Sequence, residues 1–138
     1  MLKPGGTFLF NVWDRIELSP IPETIAAAMA TRYPANPPEF LRRTPYGYND
    51  VEAITRHLRE TGFSKVESVA VTLRSCSPSP RDAAIGQCHG SPLRSEIEAR
   101  EPAGLAAATD AAAAALAARF GEGPIESTMQ AIVFTAMR

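Results

Sequence analysis

Three side chains at the end of an apolar run have the chemistry to bind a small molecule. They are Asn11, Trp13 and Asp14. An aspartate can orient a hydroxyl or amine group, and a tryptophan can form the wall of a pocket. A structural role is also open, with Trp13 in a core and Asp14 capping the turn that follows. We predict that these three residues belong to a substrate-binding site.

Two tyrosines and a histidine extend this candidate set. Tyr46 and Tyr48 flank a glycine just before a helix signal, where their phenol groups could donate hydrogen bonds to a bound acceptor. Ordinary packing of a loop against a sheet would explain them as well. His89 follows Cys88 in a turn bounded by glycines, and we include it as a polar pocket residue.

The cysteines and histidines predict neither a catalytic pair nor a metal site. Neighbours in sequence, such as Cys88 and His89, rarely face each other, and a nucleophile and its base usually meet across a fold. The spacing of Cys76, Cys88, His57 and His89 matches no zinc pattern. We therefore assign no catalytic residue and no metal.

Composition narrows the class of protein. The 138 residues carry 14 basic and 15 acidic side chains, so no basic field is available for nucleic acid or for an anionic membrane. No apolar stretch is long enough to span a bilayer. Two cysteines are too few for a disulfide framework, and the N-terminus lacks the apolar segment of a secretion signal. We expect a cytoplasmic protein with a small-molecule partner.

Two apolar runs predict strands that are covered on both faces. Residues 7–13 and 129–137 carry apolar side chains at both odd and even positions, which favours a central place in a sheet. Between them, Asn49 begins a helix as its N-cap and Gly62 ends it. A further strand, residues 65–73, follows that helix. This order of elements predicts an α/β fold.

Two long connections, residues 14–49 and 74–128, leave from the carboxyl ends of predicted strands. We expect helices in both, over residues 22–32 in the first and over three segments of the second, the last being residues 102–120. A strand–helix–strand unit makes two parallel neighbours, whose carboxyl ends share the sheet edge at which ligands bind. We therefore predict that the two connections form a helical cover over one site.

Two segments resemble class I S-adenosylmethionine-dependent methyltransferases that act on small molecules. Residues 2–10 (LKPGGTFLF) are similar to the family's turn and following strand, and residues 49–66, with the junction Thr61-Gly62-Phe63, are similar to its next helix and strand. The resemblance implies the carboxyl-terminal part of a Rossmann-like sheet, with two parallel strands, an antiparallel last strand (residues 130–137) between them, and helical insertions. It also implies methyl transfer from S-adenosylmethionine to an oxygen, nitrogen or carbon acceptor.

The resemblance covers only the carboxyl-terminal half of that family. Its members hold the cofactor with a glycine-rich loop after the first strand and an acidic residue after the second, because glycine admits close backbone approach and a carboxylate accepts ribose hydroxyl groups. Residues 1–138 supply neither feature. We therefore expect a single domain or fragment that binds no cofactor by itself. Its apolar strand edge at residues 7–13 should pair with another copy and make a homo-oligomer.

Two other interpretations remain open from the sequence. In one, the chain is a stand-alone small-ligand-binding or dimerisation module without catalysis. In the other, it is a non-functional gene fragment that folds only by association.

Overall fold

The computed structural model describes residues 3–138, which form three strands and six helices. In chain order these are β1 (Thr7–Trp13), α1 (Pro20–Arg32), α2 (Phe40–Arg43), α3 (Val51–Glu60), β2 (Lys65–Ser77), α4 (Pro80–Gly90), α5 (Leu93–Arg100), α6 (Leu105–Phe120) and β3 (Ile125–Met137). A short 3-10 turn, Ile16–Leu18, precedes α1. Leu2, the first residue of the methyltransferase-like motif, lies outside the described residues.

The three strands form one antiparallel sheet in the order β1-β3-β2. β3 pairs with β2 along its whole length, from Ser77 opposite Ile125 to Lys65 opposite Met137, and its second half pairs with β1. The prediction that the last strand is central is confirmed. The prediction that β1 and β2 are parallel neighbours is wrong, because β3 lies between them. Both run opposite to β3 and hence in the same direction.

β1 is an edge strand among residues 3–138, as the predicted apolar edge of this chain requires, but the prediction that it is covered on both faces is wrong. None of the strands formed by residues 3–138 pairs with its outer side. Phe8 is 40% exposed and Leu9 is 66% exposed. Apolar residues at both odd and even positions therefore occur here in a strand that has an open face. The apolar pattern alone did not distinguish such a strand from one that is covered on both faces.

Helix α3 covers one face of the sheet. Ile54 and Leu58, one turn apart on α3, pack against Phe134 and its alternate neighbours on β3. Phe134 is fully buried and stacks on Phe10 of β1, with 5.1 Å between the ring centroids. A small core thus lies between α3 and the sheet, and the opposite face of the sheet remains open.

The start of α3 corrects one detail of the predicted helix. Asp50, and not Asn49, is the N-cap, because the Asp50 carboxylate accepts a hydrogen bond from the Ala53 N–H at 3.0 Å. The Asn49 side-chain amide instead donates to the Tyr46 carbonyl at 2.8 Å. Gly62 follows the helix as predicted, with a positive φ of 95° that glycine adopts without steric cost.

The two long connections come together in one helical cluster. Helices α1 and α2 of the first connection share an apolar core with α4, α5 and α6 of the second. Ile25, Met29 and Leu116 are fully buried in this core, and Ile125 at the start of β3 joins it to the sheet. Both predicted connections contain helices, and these helices pack side by side.

Element boundaries differ from the predicted ones for local reasons. β2 and β3 each extend four residues further than predicted, because residues 74–77 pair with residues 125–128 as a two-strand extension of the sheet. α1 begins at Pro20, so two prolines occupy its first turn, and α6 begins at Leu105 rather than at Pro102. None of the helices in the described part of the chain is long and apolar enough to cross a membrane.

Candidate functional site

The candidate site lies on the sheet face that α3 leaves open. A groove of about 250 Å³ runs along this face, lined by Asn11 and Trp13 of β1 and by apolar side chains that include Val71, Leu73, Met129 and Ala131. Alternate residues of a strand share a face, so these side chains point to the same side of the sheet. The structure therefore brings together two predicted site residues, Asn11 and Trp13, in a concave apolar setting.

Tyr46 contacts the Trp13 ring from the helical cluster. The two ring centroids are 5.9 Å apart, and the ring planes are tilted by 32°. Burial raises the pKa of the Tyr46 phenol, and a hydrogen bond with the Ser19 hydroxyl offsets only part of that effect. Tyr46 is therefore an uncharged support for the indole of Trp13 at neutral pH.

Gly47 allows the chain to turn tightly beside Tyr46. A Cβ at this position would lie 2.1 Å from the carbonyl oxygen of Arg43, closer than any side chain tolerates. The segment that carries Tyr46 to Trp13 therefore requires glycine at its centre, and this explains the glycine between the two tyrosines.

Asp14 faces a different side of the sheet from the groove. Its carboxylate accepts hydrogen bonds from the Arg15 backbone N–H at 2.7 Å and from Gln130 Nε2 at 2.9 Å. Gln130 in turn accepts a hydrogen bond from the Thr72 hydroxyl at 2.7 Å, on the α3 side of the sheet. These contacts fit the structural alternative, in which Asp14 stabilises the turn after β1.

The Tyr48 side chain contacts the exposed side of α3 and does not lie beside Tyr46. Its side chain is 49% exposed, and its hydroxyl lies 3.1 Å from Nδ1 of His57. Within residues 3–138, no hydrogen bond or ring contact joins Tyr48 to Trp13. The two tyrosines of the predicted site therefore have separate surroundings.

His89 belongs to the contact between α4 and α6. Its Nε2 lies 3.0 Å from the hydroxyl of Thr109, which donates its own hydrogen to the Leu105 carbonyl at 2.7 Å. Thr109 therefore accepts a hydrogen bond that His89 Nε2 donates. The adjacent Cys88 is fully buried, and burial raises the pKa of its thiol, so it stays protonated and is a poor nucleophile. The hydrogen bond between His89 and Thr109 joins α4 to α6, and neither side chain lines the groove.

The structure adds two residues that the sequence analysis did not single out, Ser19 and Gln130. Ser19 is fully buried, and its hydroxyl accepts a hydrogen bond from the Gln130 backbone N–H at 3.4 Å. A serine before a proline predicts a helix N-cap, but Ser19 makes no capping hydrogen bond. The available signal for Gln130 was the one amide side chain in the final strand, next to its apolar second half.

The residues present do not fit a metal ion or an adenosyl group. Among residues 3–138, no group of three or more His, Cys, Asp and Glu side chains could hold a metal. The glycines with close neighbours, Gly47 and Gly104, approach Arg43 and Glu101 of the chain itself. In the same residues, no glycine-rich turn follows β1 or β2, where a cofactor would need close backbone approach.

No protein-family model matches the sequence, and no curated protein matches it.

Proposed function

We propose that this chain forms the acceptor-binding part of an S-adenosylmethionine-dependent methyltransferase that acts on a small molecule. The observation that carries the proposal is the order of the strands: an antiparallel last strand between two strands of one direction, with a helical connection leaving the carboxyl end of each. The methyltransferases that residues 2–10 and 49–66 resemble end in the same arrangement. The proposal therefore treats the sheet as the carboxyl-terminal part of a Rossmann-like sheet.

In this proposal the chain binds and orients the acceptor. Trp13 provides a flat apolar wall that Tyr46 supports, and Asn11 provides an amide for a polar substituent. Methyl transfer depends on holding the acceptor atom in line with the methyl donor, so a rigid wall is the main contribution of these residues. S-adenosylmethionine supplies the methyl group when it is bound. Because the described residues do not fit it, no step of the transfer is assigned to them.

A cytoplasmic location is part of the proposal. Cys76 and Cys88 are both free thiols, a state that a reducing compartment maintains. Cys76 is exposed and would be open to oxidation elsewhere.

A second candidate function is a stand-alone binding or dimerisation module without catalysis. The exposed edge of β1 favours it, because an unpaired apolar strand is a template for pairing with another chain. In such a module the groove would hold a small molecule, and no donor site would exist in the protein.

Reading the coding sequence upstream of Met1 in the same frame separates the two candidates. The methyltransferase proposal expects a strand followed by a glycine-rich turn and a helix. A stop codon with a ribosome-binding site directly upstream would contradict that proposal and favour the module.

The role of the groove is tested on the in-frame protein by measuring transfer of a labelled methyl group. Trp13→Ala removes the wall and should lower kcat/KM about tenfold or more. Tyr48→Phe is the matched control and should leave the rate unchanged, because the Tyr48 hydroxyl contacts His57 on α3 and not the groove. Equal losses in both variants, or a loss in neither, would contradict the assignment of the acceptor site.

The location of the donor site is tested on residues 1–138 alone. Calorimetric titration with S-adenosylhomocysteine should give no binding at micromolar concentration, since the described residues offer no cradle for an adenosyl group. Micromolar affinity would contradict the proposal that the donor binds elsewhere.

A further inference from the structure

The depth of the groove comes from one small side chain at its centre. Ala131 of β3 pairs with Trp13 of β1 on one side and with Val71 of β2 on the other. Its methyl group leaves a depression that the larger neighbours enclose, and Met129 and Val133 of the same strand bound it above and below. The groove thus depends on the small side chain of Ala131 as well as on the shape of the sheet.

The volume of the groove limits the size of a ligand. At about 250 Å³ it is larger than the cavity of about 150 Å³ that holds a benzene molecule. It is smaller than the pockets of about 300 Å³ or more that hold drug-sized molecules. A compound of one substituted ring or two fused rings matches this range.

The charge of the lining limits the ligand further. All the residues that line the groove are uncharged. Three other depressions in the described part of the chain each include at least one arginine, namely Arg56, Arg100 and Arg32. A charged ligand would lose hydration in the groove without gaining a partner of opposite charge, which is unfavourable.

One polar group in the groove is available for recognition. Among the residues that the structure describes, the side-chain amide of Asn11 makes no hydrogen bond. The amide both donates and accepts, so it can bind a hydroxyl or carbonyl substituent of a ring. The indole of Trp13, already held by Tyr46, offers an aromatic surface to the same ring.

We infer that the groove binds a neutral aromatic compound of one or two rings, with a hydroxyl or carbonyl substituent directed to Asn11. The assignment rests on the proposed function, in which the groove holds the methyl acceptor. It names the class of that acceptor as uncharged and aromatic, which excludes amino acids, nucleotides and other charged metabolites.

The test uses the only tryptophan of the chain as a reporter of the site. In a ¹⁵N-labelled sample of the whole chain, the indole N–H of Trp13 gives a single NMR signal. Titration with 2-naphthol should shift this signal. Naphthalene-2-sulfonate carries a charge on the same ring system, so its affinity should be lower by about tenfold or more. Equal affinity for the two compounds, or no shift with either, would overturn the assignment.

Variants locate the bound ring. Ala131→Leu fills the depression and should abolish the shift, whereas Ala70→Leu makes the same change on the opposite face of the sheet and should leave binding unchanged. Asn11→Ala should weaken 2-naphthol about fivefold through loss of one hydrogen bond. Binding that survives Ala131→Leu, or that Ala70→Leu also removes, would show that the groove is not the site.

Three further outcomes separate this inference from its competitors. Binding that weakens as the protein concentration rises would mean that a second copy occupies the face, and would overturn the assignment. Binding of 2-naphthol at Trp13 together with a stop codon directly upstream of Met1 would support the groove assignment and contradict the methyltransferase. Methyl transfer by the in-frame protein without 2-naphthol binding would support the methyltransferase and contradict the groove assignment.

Discussion

Tyr46 and Trp13 form the contact that joins the helical cluster to the open face of the sheet. Tyr46 is partly buried against the cluster core, and its ring lies against Trp13 at 5.9 Å between centroids. Burial raises the pKa of its phenol above the ordinary value of 10.0. The folded chain therefore holds the phenol proton more tightly than the unfolded chain does.

This difference predicts a loss of stability at alkaline pH that depends on one residue. A raised pKa in the folded state gives a contribution that is present below the ordinary pKa and is lost as the pH rises through the raised pKa. The free energy of unfolding of the wild-type chain should therefore fall between about pH 9 and pH 11 more than that of Tyr46→Phe. Urea unfolding at both pH values, followed by Trp13 fluorescence, measures it. The same fall in both proteins would mean that Tyr46 is not responsible.

The short helix α2 depends on a side chain from another element. Four residues are too few for a helix to be stable alone. Glu96 of α5 accepts hydrogen bonds from the backbone N–H groups of Glu39 and Phe40, at 2.8 and 3.1 Å, and from the Arg43 guanidinium at 2.7 Å. Glu96 therefore holds the first helical connection to the second, at the N-terminus of α2 where negative charge is favourable.

The same contacts lower the pKa of Glu96. Burial alone would raise this pKa, but the hydrogen bonds from Arg43 and from the two backbone N–H groups outweigh it. A lowered pKa gives stability that is present above the ordinary value of 4.5 and is lost as the pH falls through the lowered one. The anchoring of α2 is thus expected to weaken in acid.

Glu96→Gln should lower the free energy of unfolding by about 1 kcal/mol at neutral pH, because it removes the charge from three hydrogen bonds. The difference from wild type should shrink as the pH falls toward about 3. Glu98→Gln is the matched control on the same helix. Its exposed pair with Arg94 should be worth less than about 0.5 kcal/mol. Urea unfolding measures both variants, and equal losses would contradict the anchoring role of Glu96.

Residues 3–138 form two separate cores and leave one strand edge without charged side chains. One core lies within the helical cluster, and the other lies between α3 and the sheet. β2, the other edge strand, carries Lys65, Glu67 and Arg74, and charged side chains of this kind discourage pairing with other chains. β1 has no charged residue, and its Leu9 is 66% exposed. The edge of β1 is therefore the surface on which we expect a second copy.

Sedimentation of residues 1–138 at micromolar concentration should show a dimer that Leu9→Lys converts to monomer, since a charge on β1 opposes strand pairing. Val69→Lys places the same charge on β2, where the native side chain is 62% exposed, and should leave the dimer intact. A monomeric wild-type chain would contradict association through β1. Dissociation by Val69→Lys alone would place the contact on β2 instead.

Local signals in the sequence were sufficient for most elements of the fold. Thr7–Trp13 is a strand with the predicted bounds, and α3 ends before Gly62, because short-range preferences of backbone and side chain decide these features. The same signals located Trp13 and Tyr46, whose rings meet. They also grouped Asp14, Tyr48 and His89 with those two, and the structure gives each of these three a different neighbour.

The sequence by itself determined the helices and strands, the central position of the last strand and the absence of a strong charge on the chain. Only the tertiary structure decided that one face of β1 is open, that Asp14 faces Gln130, and that Ala131 opens a groove beside Trp13. The physical reason is the distance in sequence over which the deciding interactions act. Element type follows from neighbours along the chain. A side chain's face, partner and exposure follow from the register between strands whose paired residues are 48 or more positions apart in the sequence.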